Sequence, residues 1–318
     1  MDRRTFLKGA SAVALATPVG LYSCLQKQAV PIIDTHQHLW DLSQFPLSWV
    51  SPPLDKSYMM SDYHLAIKGT GIEKAIYMEV AVPKELRKKE AQWALDLCKD
   101  ENNPTVGAVI CADPTEHGFE SYIKALAENS FLKGIRYFFS SEEEMLQPQV
   151  INNIRILGEL GLSFDLHVST SRLKTGASLV DKCPNTQFIL NHCGGPEPID
   201  FREGKFDFPQ KPAHDQWITE MKNMGKRDNI VCKISGIVNK LPHALDAVSG
   251  LSPIVNHCFE VFSSDRVIFA SDWPVCLRRM SLLNWVDVLK EIVSNYSPAE
   301  QKKLFHDNAF SLYKLKAE

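Results

Sequence analysis

Several signatures of common binding sites are missing from this chain of 318 residues. No GxGxxG or Walker motif follows a strand-like segment, which argues against a nucleotide site. No Cys-X-X-Cys pair occurs, which argues against a zinc ribbon or a thioredoxin-like site. The formal net charge of −3 gives no support to nucleic-acid binding, which usually leaves a strongly basic surface. We therefore expect a small-molecule partner and no nucleic acid.

The composition, 44% hydrophobic and 23% charged, is that of a folded globular protein. Its eight cysteines are scattered along the chain, and several lie in apolar runs, where a cysteine behaves as a small hydrophobic residue. We expect most of them to be free thiols, and we interpret Cys193 as packing because nothing in the sequence provides a base to activate it. Two charged stretches, 84–90 and 142–144, are interpreted as solvated helix faces.

The N-terminus has the pattern of an export signal. Arg3 and Arg4 precede a short run of small and apolar residues at 9–16, which is typical of a twin-arginine signal. That run is too short and too weakly apolar to span a membrane. The sequence therefore predicts an exported protein.

Residues 21–24 resemble the lipobox of bacterial lipoproteins, in which the final cysteine, here Cys24, becomes lipidated. The export signal with this lipobox would then occupy residues 1–24, and residues 25–30 would form a tether. We expect a periplasmic protein or a lipoprotein attached to the membrane through Cys24.

Past residue 30, short β-like runs alternate with longer amphipathic segments, as in repeated βα units on a parallel sheet. About eight such units match a single-domain (β/α)8 TIM barrel over residues 31–318, with a doubly wound open sheet as the alternative. The predicted strands cover residues 32–34, 74–79, 105–109, 131–137, 163–168, 187–190, 229–233 and 266–270.

The first predicted strand runs into two histidines one residue apart, His36 and His38. Side chains at positions i and i+2 of a strand point to the same face, so both imidazoles face the same way. Two neutral imidazoles on one face can bind a single divalent cation or polarise a substrate oxygen. This pair is the first indication of a catalytic or metal site.

Polar residues also close other predicted strands, at the end where (β/α)8 barrels carry their active sites. Any one of them is more typical of a structural role, but together they predict one shared site. They are Arg136 in the fourth strand, His167 in the fifth, His192 after the sixth and Asp272 after the eighth.

These segments resemble the amidohydrolase superfamily, and within it the amidohydrolase-2 branch of sugar-lactone and dicarboxylate lactonases and metal-dependent decarboxylases. The resemblance implies a (β/α)8 barrel. The SDWPVC and HCG segments look most like lactonases that open L-fuconolactone, L-rhamnonolactone and related rings. The matching stretches are IDTHQHLW at 33–40, FLKGIRYFF at 131–139, CPNTQFILNHCGGP at 183–196, VCKISG at 231–236 and VIFASDWPVC at 267–276.

The resemblance implies a role for individual residues. Asp272 matches the aspartate that activates water, and His192 matches the histidine that contacts the carbonyl or assists proton transfer. Arg136 would face the substrate. Trp40 and Trp273, each next to a candidate ligand, either stack on a sugar face or pack at the barrel rim.

His167 stands where the sugar lactonases often carry another residue, and Asn191 stands where they commonly carry aspartate. A histidine at the first of these positions is typical of the metal-dependent decarboxylases. The implied ligands of one divalent ion, zinc or a similar cation, are His36, His38, His167 and Asp272. Some lactonases of this branch work without a metal, so a metal-free site stays open.

Three functions therefore remain. The first is a hydrolase that opens a sugar-derived or related lactone with activated water. The second is a metal-dependent decarboxylase of an aromatic or unsaturated acid, and the third is a carbohydrate-binding lipoprotein without activity. The complete set of polar residues argues against the third, and the SDWPVC and HCG segments favour hydrolysis. The substrate and the oligomeric state stay open.

Overall fold

The computed structural model describes residues 30–201 and 211–316. The predicted export signal and lipobox lie outside these ranges, as does the tether except for Val30, so these assignments stay predictions. Within the described ranges, no helix combines the length and the apolar character that a membrane crossing requires.

Eight parallel strands follow one another around a sheet in sequence order, and helices lie between them. This arrangement confirms the predicted single-domain (β/α)8 barrel and excludes the open doubly wound sheet. The strands are β1 (Ile32–Gln37), β2 (Ile72–Met78), β3 (Thr105–Cys111), β4 (Leu132–Arg136), β5 (Ser163–Leu166), β6 (Gln187–Leu190), β7 (Ile230–Ile234) and β8 (Val267–Phe269).

The helices cover the outside of this sheet, and their apolar faces pack on the strands in one continuous core. They are α1 (Met60–Ala66), α2 (Arg87–Leu97), α3 (Phe119–Ala127), α4 (Glu142–Met145), α5 (Pro148–Glu159), α6 (Leu173–Lys182), α7 (Lys211–Met224), α8 (Ala247–Phe262), α9 (Leu282–Ile292), α10 (Pro298–Lys302) and α11 (Asn308–Leu312), with a π-helical turn at Lys303–Asp307 between the last two.

The barrel closes between the first and the last strand through polar contacts. The backbone N–H of His38 donates to the carbonyl of Trp273 at 2.8 Å, and the hydroxyl of Thr35 donates to the carbonyl of Phe269 at 2.7 Å. Asp34 accepts two further hydrogen bonds across this seam, from the Ser271 N–H at 2.8 Å and from its hydroxyl at 2.5 Å. The segments that carry His38 and Asp272 are thereby held side by side.

The floor of the barrel interior is apolar. Apolar side chains of six strands pack together there, and Ala309 and Tyr313 from the C-terminal segment close the lower end. A polar group buried directly above this floor is away from bulk water and needs a partner inside the barrel. The strand residues of the floor are Ile33, Ile76, Met78, Val109, Ile189, Val231 and Ile268.

An ion pair lies inside the barrel between β5 and β7. Lys233 Nζ donates to Asp165 Oδ1 at 2.5 Å, and both side chains are fully buried. Lys233 follows the floor residue Val231 by two positions, so the period of the strand directs both side chains inward. Burial opposes both charges, lowering the pKa of Lys233 and raising that of Asp165, so each depends on its partner.

We predict that Asp165→Asn destabilises the fold by about 3–5 kcal/mol, because it leaves the Lys233 ammonium buried without a counter-charge. The double variant Asp165→Asn/Lys233→Met should recover most of this loss. Denaturant unfolding followed by circular dichroism measures both effects. Glu120→Gln, which breaks the exposed pair with Lys124 on α3, is the control and should leave the unfolding midpoint unchanged. Equal midpoints for Asp165→Asn and the wild type would contradict the role of the pair.

Candidate active site

A cavity of about 650 Å³ opens at the C-terminal ends of the strands. The ends of β1, β4, β5, β6 and β8 contribute His38, Arg136, His167, His192 and Asp272 to its wall. All five are residues that close strands in the sequence, and the parallel barrel brings them to one opening. His36, the other histidine of the first strand, is fully buried behind them.

The imidazoles of His36, His38 and His192 lie close to the carboxylate of Asp272. Its Oδ1 lies 3.7 Å from His36 Nε2 and 3.5 Å from His38 Nε2. The donor atoms of His36, His192 and Asp272 lie within 4.8 Å of one another. The ring centroids of His36 and His192 are 4.7 Å apart, as are those of His36 and His38. Three nitrogens and one carboxylate therefore meet at the inner end of the cavity.

The hydrogen bonds of His38 define which of its nitrogens faces Asp272 with a lone pair. A main-chain carbonyl can only accept, so His38 Nδ1–H donates to the Met78 oxygen at 2.8 Å. In the neutral ring the lone pair of Nε2 then points at the carboxylate. Two acceptors that face each other at 3.5 Å are stabilised by a cation between them, either a proton or a metal ion.

The backbone is strained where the strands end at the site. His192 and Asp272 both have positive φ angles, 54° and 55°, which are uncommon for residues other than glycine. His192 Nδ1 lies 2.9 Å from the Ser235 hydroxyl, which fixes the ring. The ring also fills the space beside Gly236, where an added Cβ would lie 2.3 Å from His192 Nδ1. A glycine is therefore required at this position.

Arg136 is held by Glu79, a residue that the sequence analysis did not identify. Arg136 Nε donates to Glu79 Oε1 at 2.5 Å, and Nη2 donates to the Glu79 carbonyl at 2.6 Å. These two bonds leave Nη1 directed at His36 Nε2, at 3.3 Å. A guanidinium fixed on two sides in this way presents its charge to the cavity in one orientation.

Burial favours the neutral form of three imidazoles of the site, those of His36, His167 and His192. It lowers the pKa of His36 and His192 well below the usual range, and nearby cations, including Lys233 and Arg136, lower it further. Burial also lowers the pKa of His167 to about 3, with Arg136 and Lys240 adding to the effect. Neutral rings offer lone pairs, which suits binding of a cation or acceptance of a proton.

Residues 33–315 match the amidohydrolase family. The chain belongs to this family. L-rhamnono-gamma-lactonase of Scheffersomyces stipitis is 24% identical, and the alignment covers 89% of this chain and 98% of that protein. L-fucono-1,5-lactonase of Burkholderia multivorans is 21% identical, with coverages of 89% and 96%.

Solved structures share the fold of this amidohydrolase. An amidohydrolase of Burkholderia multivorans with bound zinc is 21% identical, has a TM-score of 0.78, and covers 90% of this chain and 100% of its own. A 2,6-dihydroxybenzoate decarboxylase from Rhizobium is 15% identical, has a TM-score of 0.61, and covers 89% and 98%.

The two later histidines of this amidohydrolase, His167 and His192, lie side by side, with ring centroids 5.2 Å apart. His192 belongs to the group of donor atoms formed with His36 and Asp272, whereas His38 and His167 lie outside it. The left-handed turn at His192 directs its ring back toward the first strand.

Of the two functions considered for Trp40 and Trp273, packing is the one that the structure supports. Both rings are buried and pack against Tyr58, away from the cavity wall. Trp49 and Phe138 are the aromatic residues that line the cavity instead. No local pattern indicated this role, because each of the two residues belongs to a loop whose path depends on the whole barrel.

The interpretation of residues 84–90 as a solvated helix face is wrong at its last residue. Glu90 is buried, and its Oε1 accepts from the Val80 N–H at 2.7 Å and from the Tyr77 hydroxyl at 3.0 Å. Burial, together with the charge of Glu79, raises the pKa of Glu90 to about 8. Glu90 thus supports the strand end from which Glu79 holds Arg136.

The raised pKa of Glu90 predicts a specific pH dependence of stability. The folded state keeps a proton on Glu90 that the unfolded state has released, so stability falls as the pH rises from about 4.5 toward 8. Glu90→Gln mimics the protonated acid and should flatten this part of the profile. Thermal unfolding midpoints between pH 5 and pH 8.5 measure the effect. Parallel profiles for the variant and the wild type would contradict it.

Proposed function

We propose that this amidohydrolase opens the ring of a sugar-derived lactone with an activated water molecule. The observation that carries the proposal is the convergence of the imidazoles of His36, His38 and His192 on Asp272 at the inner end of one cavity, with Arg136 beside His36. Two relatives aligned over most of their length are an L-rhamnono-gamma-lactonase and an L-fucono-1,5-lactonase, which supports this substrate class.

Hydrolysis of a lactone requires a base, a stabiliser for the oxyanion and a proton for the ring oxygen that departs. Asp272 accepts a proton from the water as its oxygen attacks the lactone carbonyl. Arg136 stabilises the negative charge that develops on the carbonyl oxygen. The carbon–oxygen bond of the ring then breaks, and the proton passes to the departing oxygen, with His192 as the neighbouring carrier. The product is an open-chain hydroxy acid.

We propose one divalent cation, zinc or a similar ion, held by His36, His38, His167 and Asp272, the ligands that the resemblance implies. Three imidazole nitrogens and one carboxylate oxygen are a donor set that suits zinc. The lone pair of His38 Nε2 that faces Asp272 Oδ1 supports the fit. When bound, such an ion lowers the pKa of water and polarises a carbonyl. A metal-free lactonase is the alternative.

Decarboxylation of an aromatic acid is less well supported. His167 is the residue that favours it, whereas the two lactonase relatives align with this chain over 98% and 96% of their own length. The likeness to the decarboxylase supports the fold alone. A carbohydrate-binding protein without activity would not need the strained turns that bring His192 and Asp272 together.

We predict that Asp272→Asn reduces lactone hydrolysis by at least about 10³-fold, because it removes the proton acceptor beside the attacking water. A pH-indicator assay with a panel of aldonolactones measures acid release. Elemental analysis of the same samples reports zinc per chain, which should fall in the variant.

Asp181→Asn is the matched control, because this exposed aspartate pairs with Arg227 on the surface. Its rate and its zinc content should equal those of the wild type. Wild-type rates in Asp272→Asn would refute the assigned base. Carbon dioxide release from an aromatic acid, with no turnover of any lactone, would favour the decarboxylase instead.

We also propose export by the twin-arginine route and attachment to the membrane through lipidated Cys24. The arginine pair and the lipobox-like residues 21–24 support this location. Cys24→Ser should move the protein from the membrane fraction to the soluble periplasmic fraction of the producing bacterium. Equal distribution of the variant and the wild type between these fractions would exclude the lipid anchor.

A further inference from the structure

Three buried thiols converge behind the active site. The Sγ atoms of Cys193, Cys232 and Cys258 all lie within 4.8 Å of one another, and those of Cys232 and Cys258 are 3.9 Å apart. All three side chains have no exposed surface. We propose that this thiol cluster is a binding site for one thiophilic cation of low charge, with Cu(I) as the ion that it fits best.

The cluster is built from three separate elements. Cys193 lies in the turn after β6, Cys232 lies in β7, and Cys258 lies in the helix α8. The indole of Trp217 donates to the Cys193 carbonyl at 2.8 Å and fixes that turn. Four other described cysteines are also buried but stand outside the cluster, namely Cys98, Cys111, Cys183 and Cys276. Burial alone therefore does not account for the convergence.

The donor set selects the class of ion. Three sulfurs are soft ligands, which bind Cu(I) and zinc and leave calcium and magnesium to oxygen ligands. Metal–sulfur bonds of 2.3 Å in a trigonal plane place the sulfurs about 4.0 Å apart, close to the 3.9 Å between Cys232 and Cys258. Among the described residues, no histidine or carboxylate joins the three as a fourth donor. Three-coordinate Cu(I) needs no fourth ligand, whereas zinc does.

Binding is an exchange of protons for the metal without electron transfer. Each thiol that binds loses its S–H proton to the solvent, and a sulfur–copper bond forms while copper stays in the +1 state. The contacts that are given up are weak. Cys193 Sγ lies 3.6 Å from the Lys233 carbonyl and 4.0 Å from the Ser235 carbonyl.

The thiol cluster is joined to the active site through the main chain. Cys193 directly follows His192, and Ser235 contacts both residues, through its hydroxyl and its carbonyl respectively. A copper ion that draws Cys193 toward Cys232 and Cys258 also shifts the adjacent His192. Copper binding should therefore reduce the rate of lactone hydrolysis. This consequence rests on the proposed lactonase function, whereas the binding of copper does not.

The test measures Cu(I) bound by the full-length chain under anaerobic reducing conditions, in competition with a chromogenic Cu(I) chelator. Copper is supplied to the folded protein and also during refolding from denaturant, so that slow entry does not hide binding. We expect about one equivalent in the wild type and near zero in Cys193→Ser, Cys232→Ser and Cys258→Ser. Cys183→Ser and Cys24→Ser are the controls and should retain the metal. Circular dichroism verifies that each variant is folded.

X-ray absorption of the loaded wild type supplies a measurement that needs no variant. A shell of three sulfurs supports the thiol cluster, whereas a shell of nitrogens assigns the copper to the histidines of the active site and overturns the proposal. Failure to retain copper, or equal retention by all variants, also overturns it. Copper on three sulfurs without any lactonase activity would support the cluster and would refute only the proposed function.

Discussion

The carboxylate of Asp34 is the contact on which the site depends. It accepts from the Tyr63 hydroxyl at 2.7 Å and from the His36 N–H at 3.1 Å, in addition to its two bonds with Ser271. Burial raises the pKa of Asp34, and these four donors oppose that effect by stabilising its charged form. Because Ser271 precedes Asp272, one buried acid fixes the distance between the imidazoles of the first strand and the carboxylate that follows the last. Residues 236 positions apart thus meet with the precision that chemistry on a single water requires.

Polarity increases along the axis of the barrel, from an apolar floor through one buried ion pair to the histidines at the mouth. The order has an electrostatic consequence. Lys233 and Arg136 are cations close to His36, and their fields add to burial in keeping that ring neutral. Each cation has its own acid, Asp165 for Lys233 and Glu79 for Arg136, so neither needs Asp272 as a partner. The carboxylate of Asp272 therefore stays available for water or for a metal ion.

The sequence predicted the strands well because a parallel barrel buries both faces of each strand, which leaves short apolar runs that end in polar residues. It predicted for the same reason that one site would bring together His36, His38, Arg136, His167, His192 and Asp272. It did not predict the irregular pairing of β1 with β2 between Asp34 and Gln37. This irregularity shifts the register of the two strands just before His38. The left-handed turn at His192, the burial of Glu90 and the inward packing of Trp40 depend on contacts between distant segments, and no local pattern carries that information.

The seventh strand shows how one short segment can serve several layers of the barrel. Its period of two directs Val231 and Lys233 inward, to the floor and to the ion pair, and directs Cys232 outward to α8. Just past its end, Ser235 fixes His192 and Gly236 leaves room for the ring. A displacement of this strand therefore changes the ion pair, the thiol cluster and the position of His192 together. Because the interior is close-packed, neighbouring side chains cannot absorb such a displacement, and it shifts the residues that line the cavity.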